Sequence, residues 1–362
     1  MQPASLVTDP AVPSATATLE AGPAYPAGPV SRLFAWAETS PWRSIALAVG
    51  PALALAAWAH AVLWWSGRLA VWTIDWNEVI FVMYVVILLV AGIIGRRIAR
   101  EAVRTFWPAT GWPEEQQAPW LYRFMATPRG HELVALVIGL AIATAATLGS
   151  TSAIVGPQAG REASYLAFFP TFAMGYALNA VGVLLGSRWL GLVAEIHRDA
   201  RAIDPFDREP IYAFSKLTFF VGLVILVATY YTLTLNAAFI NGNLPAVVMM
   251  PFTTTLGVLA FVAPLWGIHG RLAREKAVLL RDVDRRIRAV GAELYANIDA
   301  RALEPSKVIS DTIAALGALR DQIHDLPTWP WTPQLLRGFV SALLLPVIVY
   351  ILSRLAAGIV NV

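Results

Sequence analysis

Residues 245–294 read PAVVMMPFTTTLGVLAFVAPLWGIHGRLAREKAVLLRDVDRRIRAVGAEL, an apolar run that passes without a break into a charged helical pattern. The first half is long enough to cross about 30 Å of hydrocarbon, which takes roughly 20 helical residues. The second half places Leu280, Val283, Ile287, Val290 and Leu294 at steps of three and four, the spacing of a coiled-coil seam. One continuous helix therefore leaves a membrane and enters water.

A second periodic run, Ile313, Leu316, Leu319, Ile323 and Leu326, follows the turn signal ARALEPS, in which Pro305 suits a first helical turn. The pair reads as an antiparallel hairpin over 269–328, its seam packing the hairpin on itself or on further helices. The outgoing helix reaches about 50 Å and the return about 33 Å at 1.5 Å per residue. The proline-stiffened PTWPWTP adds about 20 Å, so the chain can re-enter the bilayer beside its exit.

Working outward, apolar runs over 45–65, 78–95, 133–152, 165–186, 213–235 and 245–267 predict six transmembrane helices. A seventh run, 336–353, is shorter and interrupted by Pro346, which also permits a re-entrant or interfacial helix. The expected fold class is an all-α integral membrane protein of six to seven transmembrane helices, with a long cytoplasmic antiparallel hairpin between spans six and seven. Composition agrees: 57% of the 362 residues are hydrophobic and 14% charged, against about 25% charged in soluble domains.

The domain division is a Pro-, Ala-, Ser- and Thr-rich tail over 1–31, expected to be disordered, a six-helix region over 32–268, the hairpin, and a Trp/Pro linker with the last helix over 329–362. With the N-terminus inside, 24 of the 27 Lys and Arg fall in cytoplasmic segments, leaving Arg68, Arg161 and Arg354 outside. The bias of basic residues toward cytoplasmic loops fixes that orientation and puts the C-terminus outside if the seventh span crosses. Trp64, Trp65, Trp72 and Trp76 around the first outer turn, and Trp329 and Trp331 before the last span, suit the headgroup level. A multi-pass protein of the cell membrane, in contact with lipid, is expected.

Several functions are excluded or disfavoured. Without cysteine there is no disulfide, thiolate metal site, thiol nucleophile or CxxCH haem attachment. No lysine lies in the last span for a retinal Schiff base, and no HExxH, GxxxxGK[ST] or GxGxxG sequence occurs. No cofactor, metal or catalytic residue is assigned, and no enzyme activity is expected. The basic residues are distributed by membrane side and form no single patch, so nucleic acid is not an expected partner. All 24 Asp and Glu fall in loops or at span ends, which argues against an ion-coupled carrier. His60, in the first span, reads as a histidine satisfied within the bundle. The outer loop with Ser150, Thr151, Ser152, Gln158, Arg161 and Glu162 reads as a solvated turn or the cover of an outer vestibule.

The sixth span holds Pro245, Pro251 and Pro264, with Thr253, Thr254 and Thr255 near mid-depth. Threonine hydroxyls can satisfy carbonyls that proline frees, giving a kinked, self-satisfied helix. They can also line a weakly polar path, with Pro264 as hinge to the stalk. The last span adds Ser341 and Tyr350 to that candidate lining and Pro346 as a second hinge.

This layout resembles that of the insect chemoreceptor-type channels, which have seven spans, an internal N-terminus, long cytoplasmic helices before the last span, and a last span lining the pore of a tetramer. Their last span carries a TYxxxxxQF-type signature, which PVIVYILSRL does not match, so no residue role is carried over. The expected function is an oligomeric membrane channel or sensor gated through its cytoplasmic stalk, with a path near spans six and seven. The alternatives are a non-catalytic scaffold that docks a cytoplasmic partner on the hairpin, and a carrier for a neutral or lipid-like solute.

Overall fold

The computed structural model describes residues 25–149, 161–235, 244–300 and 303–360, without the side chains at 149, 161, 232–250, 303–306, 346–347 and 349–360. Among these residues every regular element is helical; a single bridge pairs Ala27 with Pro128. The first half comprises α1 (Pro29–Ala37), α2 (Pro41–Trp65), α3 (Trp76–Thr110), α4 (Gln117–Met125), α5 (Arg129–Gly149) and α6 (Arg161–Asp199). The second comprises α7 (Arg208–Tyr212), α8 (Ser215–Leu235), α9 (Leu244–Val262), α10 (Trp266–Asp299), α11 (Leu303–His324) and α12 (Pro333–Val360).

Six helical stretches are long and apolar enough to span a membrane: Pro41–Trp65, Trp76–Thr110, Arg129–Leu148, Glu162–Asp199, Arg208–Tyr231 and Pro251–Asp299. In α12 the apolar stretch Pro333–Leu345 is shorter. Two helices run well beyond the hydrophobic segments read from sequence. The extension of α3 buries Ala99, Ala102, Val103 and Phe106, and that of α6 buries Val193 and Ile196, so amphipathic packing continues where the apolar run stops.

Contacts fix the relative directions of α2, α3, α6 and α8. Arg97 reaches Ser44 and Asp75 reaches His60, so α2 and α3 are antiparallel. Glu78 meets Thr171 and Tyr84 meets Asn179, so α3 and α6 run the same way. Tyr231 bonds the Ile80 carbonyl while Phe220 lies against Gly95, so α8 opposes α3. This alternation brings the basic segments to one end of the bundle, where Arg96 and Arg100 pair with Glu38, Arg123 with Glu195, and Arg271 donates to the Ala200 carbonyl.

The largest core lies at this basic end, built around Phe106, Phe124, Ile196, Phe214, Leu217, Leu265, Ile268 and Leu272. Apolar burial is driven where water is the competing solvent. Within the lipid-facing part, close approach of small residues replaces it. A Cβ on Gly139 of α5 would stand 2.6 Å from the Ala177 Cα of α6, and one on Gly222 of α8 would stand 2.8 Å from the Gly257 carbonyl oxygen of α9.

Residues 25–31 differ from the expected tail, because they dock on the basic end. The Tyr25 hydroxyl donates to the Ala126 carbonyl at 2.8 Å and Gly28 N–H to Thr127 at 2.9 Å. Glu132 accepts the N–H groups of Val30 and Ser31, at 3.2 and 2.9 Å, taking up two donors that open α1. That carboxylate comes from a segment a hundred residues away, so composition alone could not reveal it.

Candidate functional site

The transition from α9 to α10 is made by a 3-10 turn, Ala263–Leu265. Pro264 has no N–H to give to the α-helical ladder, so the hydrogen-bond pattern tightens here. The turn is seated in the base core, since Pro264 and Leu265 are buried and are followed by buried Ile268 and Leu272. The proline read as a hinge therefore occupies a socket.

A line of stacked rings ties this turn to the start of α12. Phe339 of α12 lies 4.4 Å from Phe261 of α9, Phe261 lies 4.9 Å from Trp331, Trp331 lies 4.5 Å from Trp329, and Trp329 lies 3.7 Å from His269 of α10. All four pairs are within 29° of parallel. His269 Nδ1 is 3.0 Å from the Thr328 carbonyl, which sets its ring orientation. Each such aromatic pair contributes about 0.5–1.5 kcal/mol beyond its burial. Displacing α10 relative to α9 or α12 must break part of the stack.

Beyond the joint, α10 packs against α11. Val283, Ile323 and Leu326 form the buried center with Leu279, Leu280 and Ile287 around it. Arg320 pairs with Asp284 at 2.8 Å, and Lys276 donates to the carbonyls of His324 and Leu326, so the two helices run antiparallel. Val290 and Leu294, further along the predicted seam, are half-buried and lie outside this cluster.

The described candidate lining residues are divided between α9 and α12. Thr254 is half-buried and bonded to Tyr230 of α8, Thr255 is exposed and donates to the Pro251 carbonyl of its own helix at 2.8 Å, and Thr253 is half-buried. Ser341 is exposed on α12, while the side chains of Pro346 and Tyr350 lie outside the described residues. A threonine spent on its own helix backbone is the self-satisfied arrangement that proline-containing spans allow.

Two features have no counterpart in the sequence pattern: the Glu38 carboxylate shared by Arg96 and Arg100, and Glu78, fully buried at the opposite end of the bundle. Both stand at helix ends, where a carboxylate is ordinarily a cap or a solvated group. The chain matches no protein-family model, no curated protein and no solved structure.

Proposed function

We propose that this chain is a subunit of an oligomeric membrane channel or sensor, in which the α10–α11 pair is a cytoplasmic stalk acting on α9 and α12. The stacked rings from His269 to Phe339 carry this reading, because they join the first turn of the stalk to both membrane helices that leave it. In this reading α12 crosses the bilayer as a seventh span, the basic end faces the cytoplasm, and the C-terminus lies outside. The path forms between copies of the chain, with Thr253, Thr255 and Ser341 contributing weak polarity to faces that also expose Phe252, Leu256, Val340 and Leu344. An almost uncharged lining of this kind gates by dewetting.

The test is the mass of the particle in nanodiscs together with currents from reconstituted protein. A closed symmetric oligomer whose open fraction changes in Trp329→Ala is the expected result. A monomer without current overturns the reading.

A second reading, a scaffold that docks a cytoplasmic protein, is favored by one observation. Tyr295, Ile298 and Val308, near the far end of the helix pair, are at least half exposed. Under that reading Tyr295→Glu releases the partner and leaves permeability unchanged.

A further inference from the structure

Asp75, Trp76, Asn77 and Glu78 open α3 with the spacing of a capping box, in which the fourth residue turns back to the amide of the first. Asp75 caps the helix through the second amide instead, accepting Asn77 N–H at 2.9 Å. Its own N–H, however, goes to Nε2 of His60 on α2 at 3.0 Å. The Nδ1 of His60 faces the Ala56 carbonyl at 2.8 Å, which places the ring proton on Nδ1 and leaves Nε2 to accept. With the amide of Asp75 taken, Glu78 has no cap to make, and its side chain turns into the bundle.

There it is completely buried, at 0% exposure. One oxygen, Oε1, accepts the Thr171 hydroxyl of α6 at 2.5 Å, and Oε2 has no partner among the described residues. Asp75, in the preceding turn, is the charged neighbor that acts on it, with His60 on α2, Tyr84 on α3 and Tyr231 on α8 among the ionizable groups of the same end. Among the described residues no lysine or arginine pairs with the carboxyl. Polar groups continue inward from it. The Tyr231 hydroxyl donates to the Ile80 carbonyl at 2.6 Å, the Tyr231 ring stacks on Tyr84 at 5.5 Å, and Asn179 of α6 donates to the Tyr84 hydroxyl at 2.6 Å. An ionized carboxylate with no cation in such a place carries a desolvation cost of several kcal/mol, whereas a neutral acid with its O–H unpaired costs only about 1–3 kcal/mol.

We propose that Glu78 is a proton-binding site of the membrane domain, carrying a proton on Oε2 while α3 and α6 are in contact. On release the O–H bond breaks, the electron pair stays on the carboxylate, and the proton passes to water admitted as the two helices part. Movement of α3 against α6 thereby changes the proton content of the protein by one per chain. Carboxyls inside membrane domains serve in proton relays and coupled movements of this kind. The site stands apart from the stalk and does not depend on the channel reading.

Infrared difference spectroscopy of the full chain in nanodiscs, wild type against Glu78→Gln, tests it. The expected result is a carboxylic acid C=O band in the wild type that shifts down in D2O and is missing from the variant. If the signal lost in Glu78→Gln is a carboxylate band, the proposal is overturned. Should that variant fail to assemble, dicyclohexylcarbodiimide replaces it, since this reagent adds to protonated carboxyls in apolar surroundings and the chain has no cysteine to compete. An adduct on the Glu78 peptide of the wild type supports the site, and an unmodified Glu78 overturns it.

Discussion

Glu38, whose side chain is 9% exposed, and Glu78, fully buried, are carboxyls at opposite ends of one bundle, satisfied in opposite ways. Glu38 receives Arg96 at 2.7 Å and also Arg100, and Arg96 in turn fills the Met125 carbonyl. Glu78 receives one threonine hydroxyl. The first arrangement holds a charge in place by surrounding it with cations that are themselves hydrogen-bonded. Among the described residues no cation pairs with the second. Both side chains are largely enclosed, and the difference between them lies in the partner that folding supplies.

The largest expected effect breaks the anchor. Arg96→Met leaves Glu38 with only the half-exposed Arg100, and the loss of a buried pair's partner costs about 3–5 kcal/mol. Denaturant unfolding in detergent measures it; a loss below about 1 kcal/mol would mean that the base core holds α1 and α3 without the ion cluster.

Next in size is Ile323→Ala, which empties the center of the helix pair and costs about 2–5 kcal/mol of its local stability. Hydrogen exchange in α10 and α11 should rise. Val290→Ala, at a half-buried position outside the cluster, should change exchange far less; equal effects would show that the seam packs along its full predicted length.

At the proton site, Thr171→Val removes the hydrogen bond to Oε1 at a cost of about 1–3 kcal/mol, while Glu78→Gln keeps an acceptor there and costs less. Comparison of the two melting curves sharpens the contrast with Glu38, where the corresponding Glu38→Gln removes the charge that two arginines face. The smallest effect is at the surface. Arg320 and Asp284 are 46% and 43% exposed, so Arg320→Gln should leave the melting temperature unchanged at any salt concentration.

Much of the architecture was legible in the residues alone, for a specific reason. A bilayer tests some twenty consecutive residues at once for apolar character, so hydropathy locates spans without knowledge of what they touch. The apolar helix that ends at Val262 and leads into α10 is such a case. The candidate lining was less legible. Whether Thr254 or Thr255 faces a path, a neighboring Tyr230 or its own backbone depends on helix rotation, which hydropathy does not specify.

Sequence by itself determined the helical class, the six apolar helices and the segregation of 24 basic residues into alternate connecting segments. These follow from local chemistry meeting a layered solvent. Tertiary structure alone decided that residues 25–31 dock through Glu132, that five rings align from His269 to Phe339, and that Glu78 turns inward once His60 occupies the amide of Asp75. Each of these depends on a group brought from a distant part of the chain, and competition for one hydrogen-bond donor is settled by which acceptor folding delivers to it.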